Sequence, residues 1–125
     1  MKKHIFLLDD DDEILNTFAM ILRKAGYEVT PENNGEEALS RLLTLQESSS
    51  PIDLLITDVH MEGFNDLEWI DQLLKLPVKV PILAISGTSD IQMAIQLTKS
   101  GITDYIEKPC TADELLQYVA KILKN

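Results

Sequence analysis

Short apolar segments rich in Ile, Leu or Val alternate along the chain with segments of helical period. The predicted strands are residues 5–8, 27–30, 54–57, 82–85, and 105–106 with its flanks. Strands that alternate with helices form βαβ units with right-handed crossovers, which give a parallel sheet covered on both faces. The pattern therefore predicts a doubly wound α/β domain of five units.

Helical periodicity places one helix after each strand. In the first helix, Ile14, Phe18 and Leu22 share a face, and Gly26 follows as a stop signal. The fifth helix begins with a capping-box pattern at residues 111–114. The remaining helices are predicted from Ala38, Leu39, Leu42 and Leu43, from Leu67, Ile70, Leu73 and Leu74, and from Ile91, Ala94, Ile95 and Thr98.

Composition narrows the class of protein. With 125 residues, 45% of them apolar and 26% charged, we expect residues 1–125 to form a single domain. No apolar run is long enough to span a bilayer, and the first one reaches Asp9 too early for a signal peptide, so we expect a cytoplasmic protein without membrane contact. The formal net charge of -10 argues against direct nucleic-acid binding, and the single cysteine, Cys110, excludes an internal disulfide.

Polar residues follow four of the predicted strands. Residues 9–12 are all aspartate, Asp58 follows the third strand, Ser86-Gly87-Thr88 the fourth and Lys108-Pro109 the fifth. Taken singly, each has an ordinary structural explanation, because aspartate favours helix N-termini and lysine is usually solvated. In a doubly wound sheet, however, the carboxyl ends of the strands form the functional crevice. We therefore expect these groups to converge at one edge.

The expected convergence of Asp9, Asp10 and Asp58 requires a cation. Two carboxylates about 4 Å apart repel each other by about 4 kcal/mol at an effective dielectric constant of about 20. Carboxylate oxygens suit Mg²⁺, which is commonly shared with a phosphate, and Lys108 adds a second positive charge. These residues predict phosphoryl transfer to Asp58 as the nucleophile, with the Ser86 hydroxyl donating to a phosphoryl oxygen.

Four segments, in order and at matching spacing, resemble the receiver domain of bacterial response regulators, the CheY-like family. They are residues 5–10, 53–58, 81–87 and 105–109, and the resemblance covers essentially the whole chain. It implies a five-stranded sheet of order 2-1-3-4-5 and a Mg²⁺-dependent switch. The phosphoryl group would come from a histidine kinase or a histidine phosphotransfer protein. Such a chain catalyses only its own phosphorylation and autodephosphorylation, and is not otherwise an enzyme.

The resemblance also implies roles for single residues. Asp10 and Asp58 resemble direct metal ligands, Asp9 resembles a ligand acting mainly through water, and the backbone carbonyl of His60 is implied to complete the set. The loop beyond His60 departs from the family pattern, because Glu62 follows Met61 where proline is common. We therefore expect that loop to take a different turn.

Ser86 and Tyr105 resemble the switch pair of the family. In that scheme the hydroxyl moves toward the phosphoryl group, the ring turns inward, and the face of the fourth helix, fifth strand and fifth helix changes. A downstream protein is expected to bind this face, and phosphorylation-dependent dimerisation is a further expectation. Lys108-Pro109 resembles the cis peptide of the family, which aims the lysine inward.

Three alternatives remain open at this point. A haloacid-dehalogenase-type phosphatase needs a second aspartate two residues after the nucleophile, where His60 stands. A flavodoxin-like nucleotide binder needs amides and hydroxyls after the first strand, where aspartates 9–12 would repel a phosphate. A receiver-shaped interaction module that acts without phosphorylation is the third alternative, and the intact set of Asp58, Ser86 and Lys108 argues against it.

His60 and Thr88 lie two residues beyond Asp58 and Ser86, at the positions that in this family flank the water attacking the acyl phosphate. We expect them to tune the lifetime of the phosphorylated state. Substituting either residue should change the dephosphorylation rate, measured by the decay of the phosphorylated mass after the phosphodonor is removed. Unchanged decay in both variants would contradict this prediction.

Overall fold

The computed structural model of the protein describes residues 2–58, 71–72, 74–75, 80–86, 95–96, 99 and 101–124. The elements within these residues are β1 (His4–Leu8), α1 (Asp12–Lys24), β2 (Glu28–Glu32), α2 (Gly35–Gln46), β3 (Leu54–Asp58), β4 (Ile82–Ser86), β5 (Asp104–Glu107) and α3 (Ala112–Leu123). Of the third and fourth predicted helices, Asp71, Gln72, Leu74, Ile95, Gln96 and Lys99 are described and helical. The other residues of those two helices, Trp69 and the loop after His60 lie outside the described residues.

The strands form one sheet of order β2-β1-β3-β4-β5, and every neighbouring pair is parallel. The three central strands β1, β3 and β4 are buried along their whole length. Continuous apolar runs suit such strands, because helices cover both faces of a parallel sheet. The predicted fold class and the predicted strand order are confirmed.

The second strand differs from the sequence prediction of residues 27–30. It begins one residue later and continues to Glu32, so that Pro31 lies opposite Leu7 and Glu32 opposite Leu8. Proline signals the end of a central strand because it lacks an N–H donor, but an edge strand tolerates it. Since β2 is an edge strand, the prediction ended two residues too early.

Alternating side chains of the sheet contribute to two cores. On one face, Phe6 and Leu8 of β1 pack with Ala38 and Leu42 of α2. On the opposite face, Ile5 and Leu7 belong to a cluster that also contains the following residues of α1 and α3: Leu15, Ala19, Leu22, Leu115 and Val119. Helices therefore cover both faces, with α1 and α3 together on one of them.

The helix ends follow the signals in the sequence. Asp11 and Asn34 cap α1 and α2 by accepting hydrogen bonds from backbone N–H groups of the first turn. Both hydrogen bonds of the capping box between Thr111 and Glu114 are present, which confirms that prediction. Gly26, predicted as a stop signal, follows the cap of α1 with φ of 102°. None of the described helices combines the length and apolar character that crossing a membrane requires.

A buried histidine occupies the amino end of the sheet. The Nε2 atom of His4 lies 2.7 Å from Thr30 Oγ1, and its Nδ1 atom lies 2.9 Å from the carbonyl oxygen of Ser50. The backbone N–H of His4 donates to Asp53 Oδ2 at 2.8 Å. These contacts join β1 to β2 and to the segment before β3, a role that the sequence analysis did not assign to His4.

Core packing can be tested within α1. Leu22 is fully buried, whereas Met20 on the same helix is 67% exposed. Leu22→Ala should lower the free energy of unfolding by about 2–5 kcal/mol, since it removes apolar contacts and leaves a cavity. Met20→Ala should change it by less than about 0.5 kcal/mol. Urea unfolding followed by circular dichroism measures both, and equal effects would contradict the assignment of the two faces.

Candidate functional site

Three strands deliver acidic and basic groups to the carboxyl edge of the sheet. Asp9 follows β1 directly, Asp58 ends β3, and Lys108 follows β5. Among the described residues, carboxylate oxygens of Asp9, Asp10 and Asp58 lie within 4.8 Å of one another. Asp9 and Asp58 are buried, whereas Asp10 is exposed. The structure thus brings together the three acidic residues that the sequence predicts to converge, and we call them the acidic pocket.

Lys108 bridges two members of the acidic pocket. Its Nζ atom lies 2.9 Å from Asp58 Oδ2 and 3.1 Å from Asp9 Oδ2, and only 18% of its side chain is exposed. Its backbone N–H donates to the carbonyl oxygen of Ser86 on the neighbouring strand. The Lys108-Pro109 peptide bond is cis, as the resemblance implies. The ammonium group is therefore held inside the site by backbone and side-chain contacts.

Asp9 is oriented by the residues that flank it in space. Its Oδ1 atom accepts the backbone N–H of Asp11 at 2.9 Å, while its Oδ2 atom accepts from Lys108. Its own backbone N–H donates to the carbonyl oxygen of Glu32 at 3.2 Å. Both the backbone and the carboxylate of Asp9 are consequently fixed.

Ser86 lies at the same edge as Asp58. In the β3–β4 ladder Asp58 pairs with Ile85, so Ser86 comes one position further along β4. Ser86 is fully buried and stands opposite Glu107, the residue before Lys108. The predicted hydrogen bond from the Ser86 hydroxyl to a phosphoryl oxygen stays a prediction.

Of the three other predicted site residues, only Tyr105 lies within the described part of the chain. Tyr105 is half-buried on β5, opposite Ala84, and packs against the core on the α2 side of the sheet. His60 and Thr88 lie outside the described residues, so the predicted metal-binding carbonyl and the predicted control of dephosphorylation stay predictions.

Burial and charge shift two pKa values in the pocket. Burial raises the pKa of Asp9, and the negative charge of Asp58 raises it further, although the Asp11 N–H and Lys108 oppose both effects. Burial alone would lower the pKa of Lys108, but its hydrogen bond to Asp58 and the charges of Asp58 and Asp9 outweigh that effect and raise it. Lys108 therefore favours its protonated, cationic form, whereas burial makes the ionised form of Asp9 unfavourable.

The donor set fits a magnesium ion. Three carboxylates against one ammonium leave an excess of two negative charges, which a divalent cation balances. Mg²⁺ takes oxygen ligands and retains several waters, and the exposed position of Asp10 leaves room for water on one side. Asp9, Asp10 and Asp58 are the described residues that could hold it.

An apolar cavity of about 400 Å³ opens beside the pocket. It is lined by Ile14 and Phe18 of α1 and by Lys108, Pro109 and Cys110. Burial and the nearby charge of Glu114 raise the pKa of the Cys110 thiol, so the cysteine behaves as an ordinary protonated thiol. Lys108 thus lines this cavity and also contacts two members of the acidic pocket.

The sequence analysis assigned no role to Glu32 and Arg41, which meet near the acidic pocket. Glu32 ends β2 and is 7% exposed, and its Oε1 atom lies 2.8 Å from Nη1 of Arg41 on α2. Glu32 is also the residue whose carbonyl oxygen accepts the Asp9 N–H. A single sequence carries no signal for this pair, because the two residues meet only when α2 packs over the end of an edge strand.

The raised pKa of Asp9 gives a pH dependence with a defined sign. A carboxyl group with a raised pKa in the folded state binds its proton more tightly there, so its contribution to stability is lost as the pH rises above the ordinary value of 3.8. In the metal-free protein, Asp9→Asn should therefore gain stability relative to the unmodified protein as the pH rises from about 3 to about 7.

Urea unfolding in a chelating buffer across this pH range measures the difference. The unmodified protein, measured in the same buffers, is the reference. A stability difference for Asp9→Asn that did not change with pH would contradict the prediction.

Comparison with known proteins agrees with this geometry. The family model for the response regulator receiver domain matches residues 5–120. The chain is 33% identical over 113 residues to the C4-dicarboxylate transport transcriptional regulatory protein DctD of Rhizobium meliloti (strain 1021), covering 90% of this chain and 24% of DctD. It is 32% identical over 120 residues to the response regulator protein TodT of Pseudomonas putida, covering 96% of this chain and 51% of TodT. The chain thus spans about a quarter and about half of the lengths of these relatives.

Among solved structures, a response regulator receiver domain protein from Clostridium thermocellum superposes with a TM-score of 0.86 at 25% identity, covering 98% of this chain and 94% of that one. The sequence match, the sheet order and the acidic pocket lead to one conclusion: the chain belongs to the response regulator receiver domain family.

Proposed function

We propose that this receiver domain is a phosphorylation switch, in which Asp58 takes a phosphoryl group from a histidine kinase or a histidine phosphotransfer protein. The observation that carries the proposal is the placement of Lys108, whose ammonium group reaches both Asp58 and Asp9 at the edge where Asp10 also lies. An anionic group transferred to Asp58 would arrive next to a fixed positive charge.

In the transfer, an Asp58 carboxylate oxygen attacks the phosphorus atom. The new bond is an O–P bond to Asp58, and the bond that breaks joins phosphorus to the histidine nitrogen of the donor. Lys108 stands 2.9 Å from an Asp58 oxygen and can stabilise the phosphoryl oxygens as charge develops on them. The buried hydroxyl of Ser86 is proposed to donate to one of those oxygens.

Mg²⁺ is the proposed cofactor. Asp9, Asp10 and Asp58 would hold it, together with the His60 carbonyl that the family resemblance implies. When bound, it would supply positive charge to the phosphoryl oxygens and relieve the repulsion among the carboxylates. The protein is proposed to catalyse only its own phosphorylation and autodephosphorylation.

Output is proposed to pass through Ser86 and Tyr105 to the face of the fourth predicted helix, β5 and α3. Of that face, Ile95 is 44% exposed and Tyr105 is half-buried between the face and the core. A few kcal/mol of differential contact is enough to shift a two-state equilibrium of this kind. A downstream protein would bind the altered face, and phosphorylation-dependent dimerisation belongs to the same proposal.

The proposed setting is cytoplasmic, where the kinases of two-component signalling present their phosphohistidine. DctD is named as a transcriptional regulatory protein and is about four times as long as the matching region. We propose no nucleic-acid contact for the residues of this chain, whose formal net charge is -10.

Intact mass after incubation with acetyl phosphate tests the proposal. We expect a single phosphoryl adduct that requires Mg²⁺ and is lost in Asp58→Asn. Asp113→Asn, with an exposed aspartate of α3, is the control and should still form the adduct. Because Asp58 is the only proposed acceptor, loss in its variant should be complete.

Two outcomes would change the conclusion. An adduct that persisted at an undiminished rate in Asp58→Asn would place the acceptor elsewhere. No adduct on the unmodified protein, under conditions that trap short-lived acyl phosphates, would favour the receiver-shaped interaction module that acts without phosphorylation.

A further inference from the structure

Glu32 is a buried carboxylate outside the acidic pocket. It is 7% exposed at the end of β2, and both of its side-chain oxygens have partners. Its Oε1 atom accepts from Nη1 of Arg41 at 2.8 Å, and its Oε2 atom accepts the backbone N–H of Asn34 at 3.0 Å. A carboxylate is stable in such a buried place only when it is paired in this way.

Arg41 holds the end of the strand in two ways. Besides the ion pair with Glu32, its Nη1 atom lies 3.4 Å from the carbonyl oxygen of Pro31. Asn34, which also binds the Glu32 carboxylate, caps the helix that carries Arg41. The last two residues of β2 are thereby fastened to the first turns of α2.

The end of β2 in turn contacts the acidic loop, which we define as residues 9–12. The carbonyl oxygen of Glu32 accepts the backbone N–H of Asp9 at 3.2 Å. In the next residue, Asn33 Nδ2 donates to Asp12 Oδ1 at 2.9 Å. The acidic loop therefore depends at two points on where β2 ends.

An edge strand needs such an anchor. β2 has a sheet neighbour only on the β1 side. The hydrogen bonds of the sheet therefore constrain this end of β2 less than they constrain the ends of β1 or β3. The contacts of Arg41 supply the missing constraint from the helix side.

We propose that the Glu32–Arg41 ion pair is a positioning pair for the acidic pocket: it fixes the end of β2, and through it the backbone of Asp9, in the arrangement that binds a divalent cation. The inference rests on the proposed function, because it assumes that the pocket takes Mg²⁺. Neither residue touches the cation, and both act through the Asp9 backbone.

The direction in which Arg41→Met changes the affinity for the cation distinguishes a positioning role of Arg41 from a simple effect of its charge. Replacing Arg41 by methionine removes a positive charge, and by Coulomb attraction alone this would strengthen cation binding. Loss of positioning would weaken it. A structural contact without influence on the pocket would lower the stability of the fold and leave the cation affinity unchanged.

The chain offers a matched control. Arg23 of α1 donates from Nη2 to the carbonyl oxygen of Val29 at 3.1 Å, so it also joins a helix to β2, but nearer the start of that strand. Arg23→Met makes the same change of charge as Arg41→Met. Arg23→Met leaves the contacts of Arg41 with Glu32 and Pro31 in place.

The test is the dissociation constant of Mg²⁺, measured by isothermal titration calorimetry on the full chain. Arg41→Met should weaken binding roughly tenfold, the lower end of the range for loss of a residue that supports metal ligands. Arg23→Met should bind Mg²⁺ at least as tightly as the unmodified protein does, and Arg41→Lys, which keeps the charge, should recover most of the loss. Amide hydrogen exchange in the metal-free protein should be faster at Asp9 in Arg41→Met alone.

The outcomes are distinguishable. If the unmodified protein binds Mg²⁺ and Arg41→Met binds it equally well or more tightly, the positioning inference is overturned and the proposed function stands. If the unmodified protein binds no Mg²⁺, the proposed metal site fails, and the inference fails with it.

Discussion

Lys108 connects the ends of three strands, and the arrangement of the site depends on this contact. Its ammonium group lies 2.9 Å from Asp58 and 3.1 Å from Asp9, two carboxylates that are both buried. Two buried carboxylates whose oxygens lie within 4.8 Å of each other repel strongly unless a cation stands between them. The placement of Lys108, supported by its backbone hydrogen bond to Ser86, is therefore as much a part of the site as the aspartates.

The rigidity that this contact needs comes from the sheet. β1, β3 and β4 are buried on both faces, so Asp9, Asp58 and Ser86 extend from elements that cannot shift without disturbing a core. The two edge strands lack that support on one side. β5 carries Lys108 and pairs only with β4, whereas β2 pairs only with β1 and its end is also held by side-chain contacts from α2. The inferred role of Arg41 follows from this difference between central and edge strands.

Much of this architecture is predictable from one sequence, because the central strands are apolar runs and the polar residue that ends or follows each of them marks the functional edge. Asp9, Asp10, Asp58 and Lys108 were found that way and do converge. The Glu32–Arg41 pair and the contacts of His4 were not found. They depend on how elements pack across the fold, and Pro31 concealed the true end of β2. Local periodicity carries no information about such contacts.

The amino and carboxyl ends of the sheet differ in the charges that they bring together, and this difference marks the carboxyl end as the candidate site. At the amino end, the ring nitrogens of His4 lie near oxygens of Thr30 and Ser50, the Glu28 carboxylate lies 3.7 Å from Nε2, and the backbone N–H is bonded to Asp53. These hydrogen bonds join neighbouring strands and give the buried polar atoms of His4 their partners. At the carboxyl end, Lys108 contacts the buried carboxylates of Asp9 and Asp58, and a carboxylate oxygen of Asp10 lies within 4.8 Å of theirs. This excess of negative charge distinguishes the carboxyl end, because burial and like-charge pairs are concentrated at functional sites.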